Sequence, residues 1–148
     1  MKWLLDTNVV SETIRRRPSA AVMHWISRLT PSDAAISIVA MAELAESVSL
    51  APDANHRRLL TQWLDTTIAN WLGRRTLVLT REILVDWLKL SRQLARKRIT
   101  RKAPDLMIAS TARVHDLILV TRNVRDFADT GVVVYDPWSD ETRHMDQP

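Results

Sequence analysis

Short apolar segments alternate with longer segments of helical periodicity along the chain, and this alternation limits the possible folds more than any other feature. Strand-like segments occupy residues 2–5, 34–38, 77–79, 117–120 and 132–135, and helical patterns occupy about 10–29, 39–50, 54–72, 80–98 and 104–115. Strands separated by helices pair readily as parallel neighbours, with the helices packed on both faces of the sheet. The sequence therefore predicts an α/β fold with a mostly parallel, twisted sheet of about five strands flanked by helices.

The length of the chain predicts a single domain. The 148 residues are close to the size of one typical domain. We expect this domain to span residues 1–138, with a helical projection around 54–72, and we expect residues 139–148 to form a polar, flexible tail. The apolar positions within 54–72 recur at helical spacing, which suits either packing in the core or a surface for a dimer or another partner.

Composition excludes several classes of protein. The chain contains no cysteine, which rules out disulfides and thiolate metal sites. With two glycines it offers no glycine-rich phosphate loop, which argues against P-loop and Rossmann nucleotide enzymes. No apolar stretch approaches the roughly 20 residues that cross a bilayer, so we expect a cytoplasmic protein without membrane contact. The net charge of +4 favours a polyanionic partner.

Oxygen-bearing side chains follow the first predicted strand directly. Asp6, Thr7 and Asn8 come after the apolar residues Leu4 and Leu5. In open α/β sheets, ligands bind in the crevice beyond the carboxyl ends of the strands. A turn or a helix N-cap would also suit these residue types. Three of them in a row exceed what a cap needs, and we interpret Asp6 as a metal ligand.

Further acids occur where the same crevice would receive them. Glu43 lies in an almost wholly apolar helical segment, where a carboxylate is costly to bury unless it is paired or bound to a cation. Asp105 follows Pro104 at a predicted helix start, a position that the helix dipole also favours for acids. Asp126 lies shortly after the strand at 117–120, and its alternative interpretation is a turn or helix cap. Thr121 and Asn123 lie in the same segment, where they could support the site.

A cluster of carboxylates points to a hard divalent cation. Mg²⁺ and Mn²⁺ prefer oxygen ligands, and carboxylates held together repel one another until a cation or protons neutralise them. Such an ion lowers the pKa of a bound water and stabilises charge that develops on phosphorus. The pattern thus predicts phosphodiester hydrolysis in an acidic pocket, performed by a protein whose basic surface attracts a polyanion.

At these positions the chain strongly resembles the PIN-domain nucleases, in particular the VapC toxins of bacterial toxin–antitoxin pairs. The family's four motifs resemble Leu4–Glu12, Ala42–Leu44, Pro104–Ala109 and Thr121–Phe127, and the ending Val134–Trp138 is similar to the FitB branch. Each motif alone is weak, whereas the ordered set at these spacings is specific. The resemblance covers nearly the whole chain.

The resemblance implies roles for individual residues. Asp6, Glu43 and Asp105 match the family's three acids that bind Mg²⁺ or Mn²⁺, and Thr7 matches a supporting hydroxyl. Some relatives carry Asp where this chain has Asn123, and others use an acid at the position of Asp126. The resemblance therefore leaves open which of those two residues completes the site and whether one or two metal ions bind.

The resemblance also implies an activity and partners. PIN toxins of this kind are metal-dependent endoribonucleases of type II toxin–antitoxin pairs. Each is neutralised by a small antitoxin, here one similar to VapB or FitA, and the complex binds its own operator DNA. The family's toxins are usually homodimers. The alternatives are a non-catalytic PIN-fold module that acts through its partner and operator DNA, and a metal-dependent nuclease outside any toxin–antitoxin system.

A basic segment leads directly into the predicted third motif. Its candidate RNA-binding residues are Arg96, Lys97, Arg98, Arg101 and Lys102. Such a segment beside the pocket could hold the phosphate backbone of RNA. The alternative is a solvated helix end whose cations favour the carboxyl terminus of the helix dipole.

Overall fold

The computed structural model describes residues 1–147 and contains one six-stranded sheet. The strands are Trp3–Leu5 (β1), Ala34–Ser37 (β2), Thr76–Leu77 (β3), Ile118–Val120 (β4), Val133–Asp136 (β5) and Glu141–His144 (β6). Their order is β3-β2-β1-β4-β5-β6, in which β1 to β5 are parallel and β6 is antiparallel to β5. The predicted α/β fold with a mostly parallel sheet is confirmed.

Seven α-helices connect the strands in the described part of the chain. They are Thr7–Glu12 (α1), Ala20–Ser27 (α2), Ile38–Ser49 (α3), Ala54–Gln62 (α4), Ala69–Leu72 (α5), Arg81–Arg96 (α6) and Ala103–Val114 (α7). A π-helical turn, Trp63–Ile68, joins α4 to α5, and 3₁₀ turns occupy Gly73–Arg75 and Val124–Phe127. Within residues 1–147, none of the helices has the length and apolar character needed to cross a membrane.

The core lies on both faces of the central strands. Leu4 and Leu5 of β1, Ile36 of β2 and Leu119 of β4 are all fully buried. Strands covered on both faces are expected to be continuously apolar, as these are. Since the strand order changes direction at β1, the crevice between the carboxyl ends of β1 and β4 is a topological switch point, where open α/β folds bind their ligands.

The predicted helix over 10–29 is instead two helices, α1 and α2. The Ser19 hydroxyl accepts a hydrogen bond from Val22 N–H at 3.4 Å and caps α2. The buried carboxylate of Glu12 accepts a bond from Ser19 N–H at 2.6 Å, which fixes the start of the second helix. Pro18 disfavours helical geometry in the residue before it. These three features end one helix and begin another.

The expectation of a flexible tail over 139–148 is wrong for residues 141–144, which form β6. This strand pairs with β5 from Val133↔His144 to Asp136↔Glu141. The turn between them contains Asp140 in left-handed geometry, and the Asp140 carboxylate accepts a hydrogen bond from Tyr135 Oη at 2.8 Å. Pro148, the last residue of the predicted tail, lies outside the described residues.

Candidate functional site

The Asp6 carboxylate lies at the carboxyl end of β1 and is almost completely buried, with 6% of its surface exposed. It caps α1, because Oδ1 accepts a hydrogen bond from Thr7 N–H at 2.8 Å. The Thr7 hydroxyl lies 3.4 Å from the same oxygen. The helix-cap interpretation of Asp6 is thus correct, but the cap uses only one of its two carboxylate oxygens.

The second oxygen of Asp6 is held by side chains from two other positions. Oδ2 accepts hydrogen bonds from Thr121 Oγ1 at 2.6 Å and from Asn8 Nδ2 at 3.0 Å. Burial raises the pKa of Asp6, while the hydrogen bonds to the carboxylate act in the opposite direction. The structure therefore fixes this acid rigidly and also makes its ionised form costly.

Asn8 and Thr121 connect β1 to the segment after β4. Asn8 Nδ2 also donates to Thr121 Oγ1 at 3.0 Å, and Asn8 Oδ1 accepts from Arg122 N–H at 3.2 Å. The Thr121 hydroxyl additionally accepts from Asn123 N–H at 3.0 Å. These bonds hold the fourth motif against the first across the switch point.

Glu43 and Asp105 face the same crevice from α3 and α7. Burial raises the pKa of Glu43, and the charges of Asp6 and Asp105 raise it further. Burial likewise raises the pKa of Asp105, with further increases from the charges of Asp126 and Asp6. Since charge effects of this kind need proximity, the carboxylates that the sequence singled out share one electrostatic environment.

Local structure explains how these acids reach the crevice. α3 begins where the Ser37 hydroxyl, at the end of β2, accepts a hydrogen bond from Ala40 N–H at 3.0 Å. Glu43 lies on the second turn of that helix. Pro104 occupies the first turn of α7, where its missing N–H costs nothing, and Asp105 follows it near the positive end of the helix dipole.

The two candidates for a fourth group occupy different positions. Asp126 lies in the 3₁₀ turn Val124–Phe127, where its charge acts on Asp105. Asn123 precedes that turn with an exposed side chain, and its backbone is tied to Thr121. Asp126 is thus the one that joins the acidic cluster electrostatically.

The carboxylates are near one another without being gathered around a common point. Within residues 1–147, no trio of His, Asp or Glu side chains is already arranged to coordinate a metal ion. The donor set is nevertheless made of oxygen atoms, which suits a hard divalent cation. The increase in pKa that the charge of Asp6 causes at Glu43 and Asp105 reflects a repulsion that such a cation would relieve.

The candidate RNA-binding residues have unequal surroundings. Lys102 lowers the pKa of both Glu43 and Asp105, which locates its positive charge beside the acidic cluster. Arg101 instead forms an ion pair with Asp129 at 3.4 Å. The other three residues, Arg96, Lys97 and Arg98, lie at and just beyond the end of α6. RNA contact by this segment stays a prediction.

The hydrogen bond between Asn8 and the backbone of Arg122 could not be predicted from the sequence. The two residues lie 114 positions apart. An asparagine after a strand end is also typical of a turn, so its residue type alone does not indicate this contact. Sequence reasoning also did not assign a structural role to the buried acid Glu12. Its position in the first motif, six residues after Asp6, was the available signal.

Comparison with known proteins finds a domain family and relatives that match most of the chain. The PIN domain profile matches residues 3–133. The toxin FitB of Neisseria gonorrhoeae is 30% identical over 137 residues, which cover 93% of this chain and 99% of FitB. The VapC ribonuclease Y4jK of Sinorhizobium fredii is 27% identical over 91% of this chain and 96% of its own length.

Solved structures show the same relationship. The FitAcB crystal structure from Neisseria gonorrhoeae superposes with a TM-score of 0.86 at 29% identity, covering 92% of this chain and 98% of that one. The structure of FitAB bound to an IR36 DNA fragment superposes with a TM-score of 0.87 at 27% identity, covering 96% and 99%. The chain therefore belongs to the PIN-domain family and is a homologue of the FitB and VapC proteins.

Proposed function

We propose that this protein is the toxin of a type II toxin–antitoxin pair and acts as a metal-dependent endoribonuclease. One observation carries the proposal: acids from β1, α3 and α7 of a PIN domain share a crevice in which Asp6 and Asp105 raise the pKa of Glu43 and Asp6 raises the pKa of Asp105. A carboxylate cluster that costs stability when empty of cations is typical of a site that binds one.

Asp6, Glu43 and Asp105 would hold the ion, which we take to be Mg²⁺ or Mn²⁺. When bound, the ion supplies a Lewis acid that generates a nucleophilic water and offsets charge on phosphorus. Asp6 would be the fixed ligand, because its oxygens are already oriented by hydrogen bonds from Thr7, Asn8 and Thr121. Asp126 would add negative charge beside Asp105.

The remaining residues of the site would orient Asp6 and attract the RNA backbone. Thr121 and Asn8 hold Asp6 in one rotamer, so that ordering it costs nothing when substrate arrives. Lys102 sets a positive charge at the rim, where an RNA phosphate can meet it. The other basic residues of 96–101 would extend this phosphate contact along the backbone.

Partners follow from the relatives. The related FitB is a toxin, and the related FitAB is bound to an IR36 DNA fragment. We infer that this chain likewise binds a VapB- or FitA-like antitoxin, reaches operator DNA through it, and forms a homodimer. Leu84, Val85 and Leu88 expose an apolar surface on α6 that suits a second copy of the chain.

RNA cleavage by the purified protein, freed of antitoxin, tests the proposal. We expect total RNA to be cut when Mg²⁺ or Mn²⁺ is added and to remain intact with a chelator. Asp6→Asn should abolish cutting, whereas Asp65→Asn, at an exposed acid outside the cluster, should not. Equal cutting by the wild type and Asp6→Asn would indicate a contaminating nuclease and contradict the proposal.

The alternative of a non-catalytic module has a distinct outcome. A protein that binds its antitoxin and operator DNA, yet leaves RNA intact at every metal concentration, would favour that alternative. The burial of the Asp6 carboxylate argues against it, because the cap of α1 needs only Oδ1 and does not explain a second buried oxygen whose charge is costly in this crevice.

A further inference from the structure

An arginine lies over a tryptophan ring beyond the ends of β4 and β5, and neither has a role in the site as described so far. The Arg122 guanidinium carbon lies 5.6 Å from the centre of the Trp138 ring. The Arg122 side chain is exposed, and Trp138 is partly buried against the core. The guanidinium is thus backed by the indole and accessible from solvent.

The fold places this pair at the catalytic edge of the sheet. β4 ends at Val120 and β5 ends at Asp136, so Arg122 and Trp138 each follow the end of their strand by two residues. The two strands are parallel neighbours in which Val120 lies opposite Tyr135, so Arg122 and Trp138 are one residue out of register at the carboxyl edge. This offset is small enough for the two side chains to meet above that edge.

Two hydrogen bonds connect the pair to the buried acid. Arg122 N–H donates to Asn8 Oδ1 at 3.2 Å, and Asn8 Nδ2 donates to Asp6 Oδ2 at 3.0 Å. The backbone of Arg122 is therefore fixed relative to Asp6, and the Arg122 side chain starts from the same edge of the sheet as the acidic cluster.

The backbone of Trp138 is fixed, and its ring is packed against the core. The Trp138 backbone N–H donates to Asp136 Oδ1 at 2.8 Å, and Pro137 between them is buried. The ring itself is partly buried against the core. The pair therefore presents an exposed cationic group with an aromatic ring behind it.

We propose that Arg122, supported by Trp138, is a stacking platform for one unpaired base of the RNA. Single-stranded RNA presents splayed bases, which proteins hold against aromatic rings and guanidinium planes. The positive charge suits the adjacent phosphate as well. The inference rests on the proposed ribonuclease function and adds a preference for unpaired substrate at the cut site.

Binding of a short fluorescein-labelled single-stranded RNA tests the platform without cleavage. All proteins carry Glu43→Gln so that the probe survives, and an abasic RNA of equal length serves as the second probe. Arg122→Lys keeps the charge and removes the plane. We expect it to weaken binding of the base-bearing RNA about tenfold, the typical effect of one lost stack, and to leave binding of the abasic RNA unchanged.

Further variants separate stacking from folding and from charge. Trp138→Phe should retain most of the affinity for the base-bearing RNA, and Trp138→Leu should lose it. Thermal unfolding of both variants reports any change in stability. Lys2→Gln is the matched control, since Lys2 lies 4.5 Å from the ring centre of Trp3 at the start of β1, away from the acids. It should change RNA affinity by less than about twofold, as a single distant charge does.

Each result bears on one claim. Equal affinity of Arg122→Lys and its parent for base-bearing RNA, or an equal loss on abasic RNA, overturns the platform. Wild-type protein that binds RNA in this base-dependent way but never cleaves it overturns the proposed function and leaves the platform standing. Cleavage by the wild type together with unchanged binding by Arg122→Lys overturns the platform and leaves the proposed function standing.

Discussion

Thr121→Val removes the shortest hydrogen bond to the buried acid while preserving the shape of the side chain. The Thr121 hydroxyl donates to Asp6 Oδ2 at 2.6 Å inside the protein. A hydrogen bond to a charged group contributes about 1.5–3 kcal/mol. Two other donors lose Thr121 as an acceptor. Asn8 Nδ2 still donates to Asp6, and the backbone N–H of the exposed Asn123 can donate to water, so neither donor adds a large cost.

The expected loss is therefore about 1.5–3 kcal/mol at pH 7, measured by urea unfolding. For a chain of this size it corresponds to roughly 3–12 °C in Tm. The matched control is Thr111→Val, which also removes a buried hydroxyl, but one that donates to the neutral carbonyl of Met107 at 2.8 Å. That change should cost about 1 kcal/mol.

The pH dependence identifies the charge on Asp6 as the cause. Because burial raises the pKa of Asp6 above 3.8, much of this carboxyl is protonated at about pH 4. The extra cost of Thr121→Val over Thr111→Val should then shrink. We also expect Thr121→Val to reduce RNA cleavage about 10–100-fold, as loss of an outer-shell partner does. Equal losses of stability for the two variants at pH 7 would refute this reasoning.

Three further predictions concern charge near the site. Glu43→Gln should raise Tm by a few degrees at pH 7 and by almost nothing near pH 4. Because the pKa of Glu43 is raised in the folded protein, the stability present below pH 4.5 is lost as the carboxyl ionises, and Gln cannot ionise. Calorimetry at both pH values checks this. Lys102→Gln should tighten Mn²⁺ binding about two- to fivefold at pH 8 and weaken RNA binding in filter assays, since its charge opposes one ligand and attracts the other. Glu12→Ala should cost about 1.5–3 kcal/mol in urea unfolding, because Ser19 N–H loses a charged acceptor; an unchanged unfolding midpoint would contradict that assignment.

The local sequence pattern was sufficient to predict the central strands and to single out the candidate acids. β1 reads as a strand because its residues are buried on both faces, and a polar residue directly after it must lie at the carboxyl edge. Glu43 stood out because its helix is otherwise apolar. These features depend only on residues close together in sequence.

Features that depend on distant contacts could not be read in the same way. β6 has four exposed polar side chains and no period-two pattern, so only its pairing with β5 reveals it. The break between α1 and α2 depends on the bond from Ser19 N–H to Glu12, which no spacing rule anticipates. The contacts of Asn8 with Thr121 and Arg122 require strands β1 and β4 to be neighbours.

The central claim is that Asp6, Glu43 and Asp105 form one site for a divalent cation. Mn²⁺ titration of antitoxin-free protein, followed by the electron paramagnetic resonance signal of the free ion, measures this without any substrate. We predict saturable binding by the wild type and a loss of at least about tenfold in affinity for Asp6→Asn, Glu43→Gln and Asp105→Asn, with Asp65→Asn unchanged. Equal Mn²⁺ affinity for the wild type and all four variants would contradict the account.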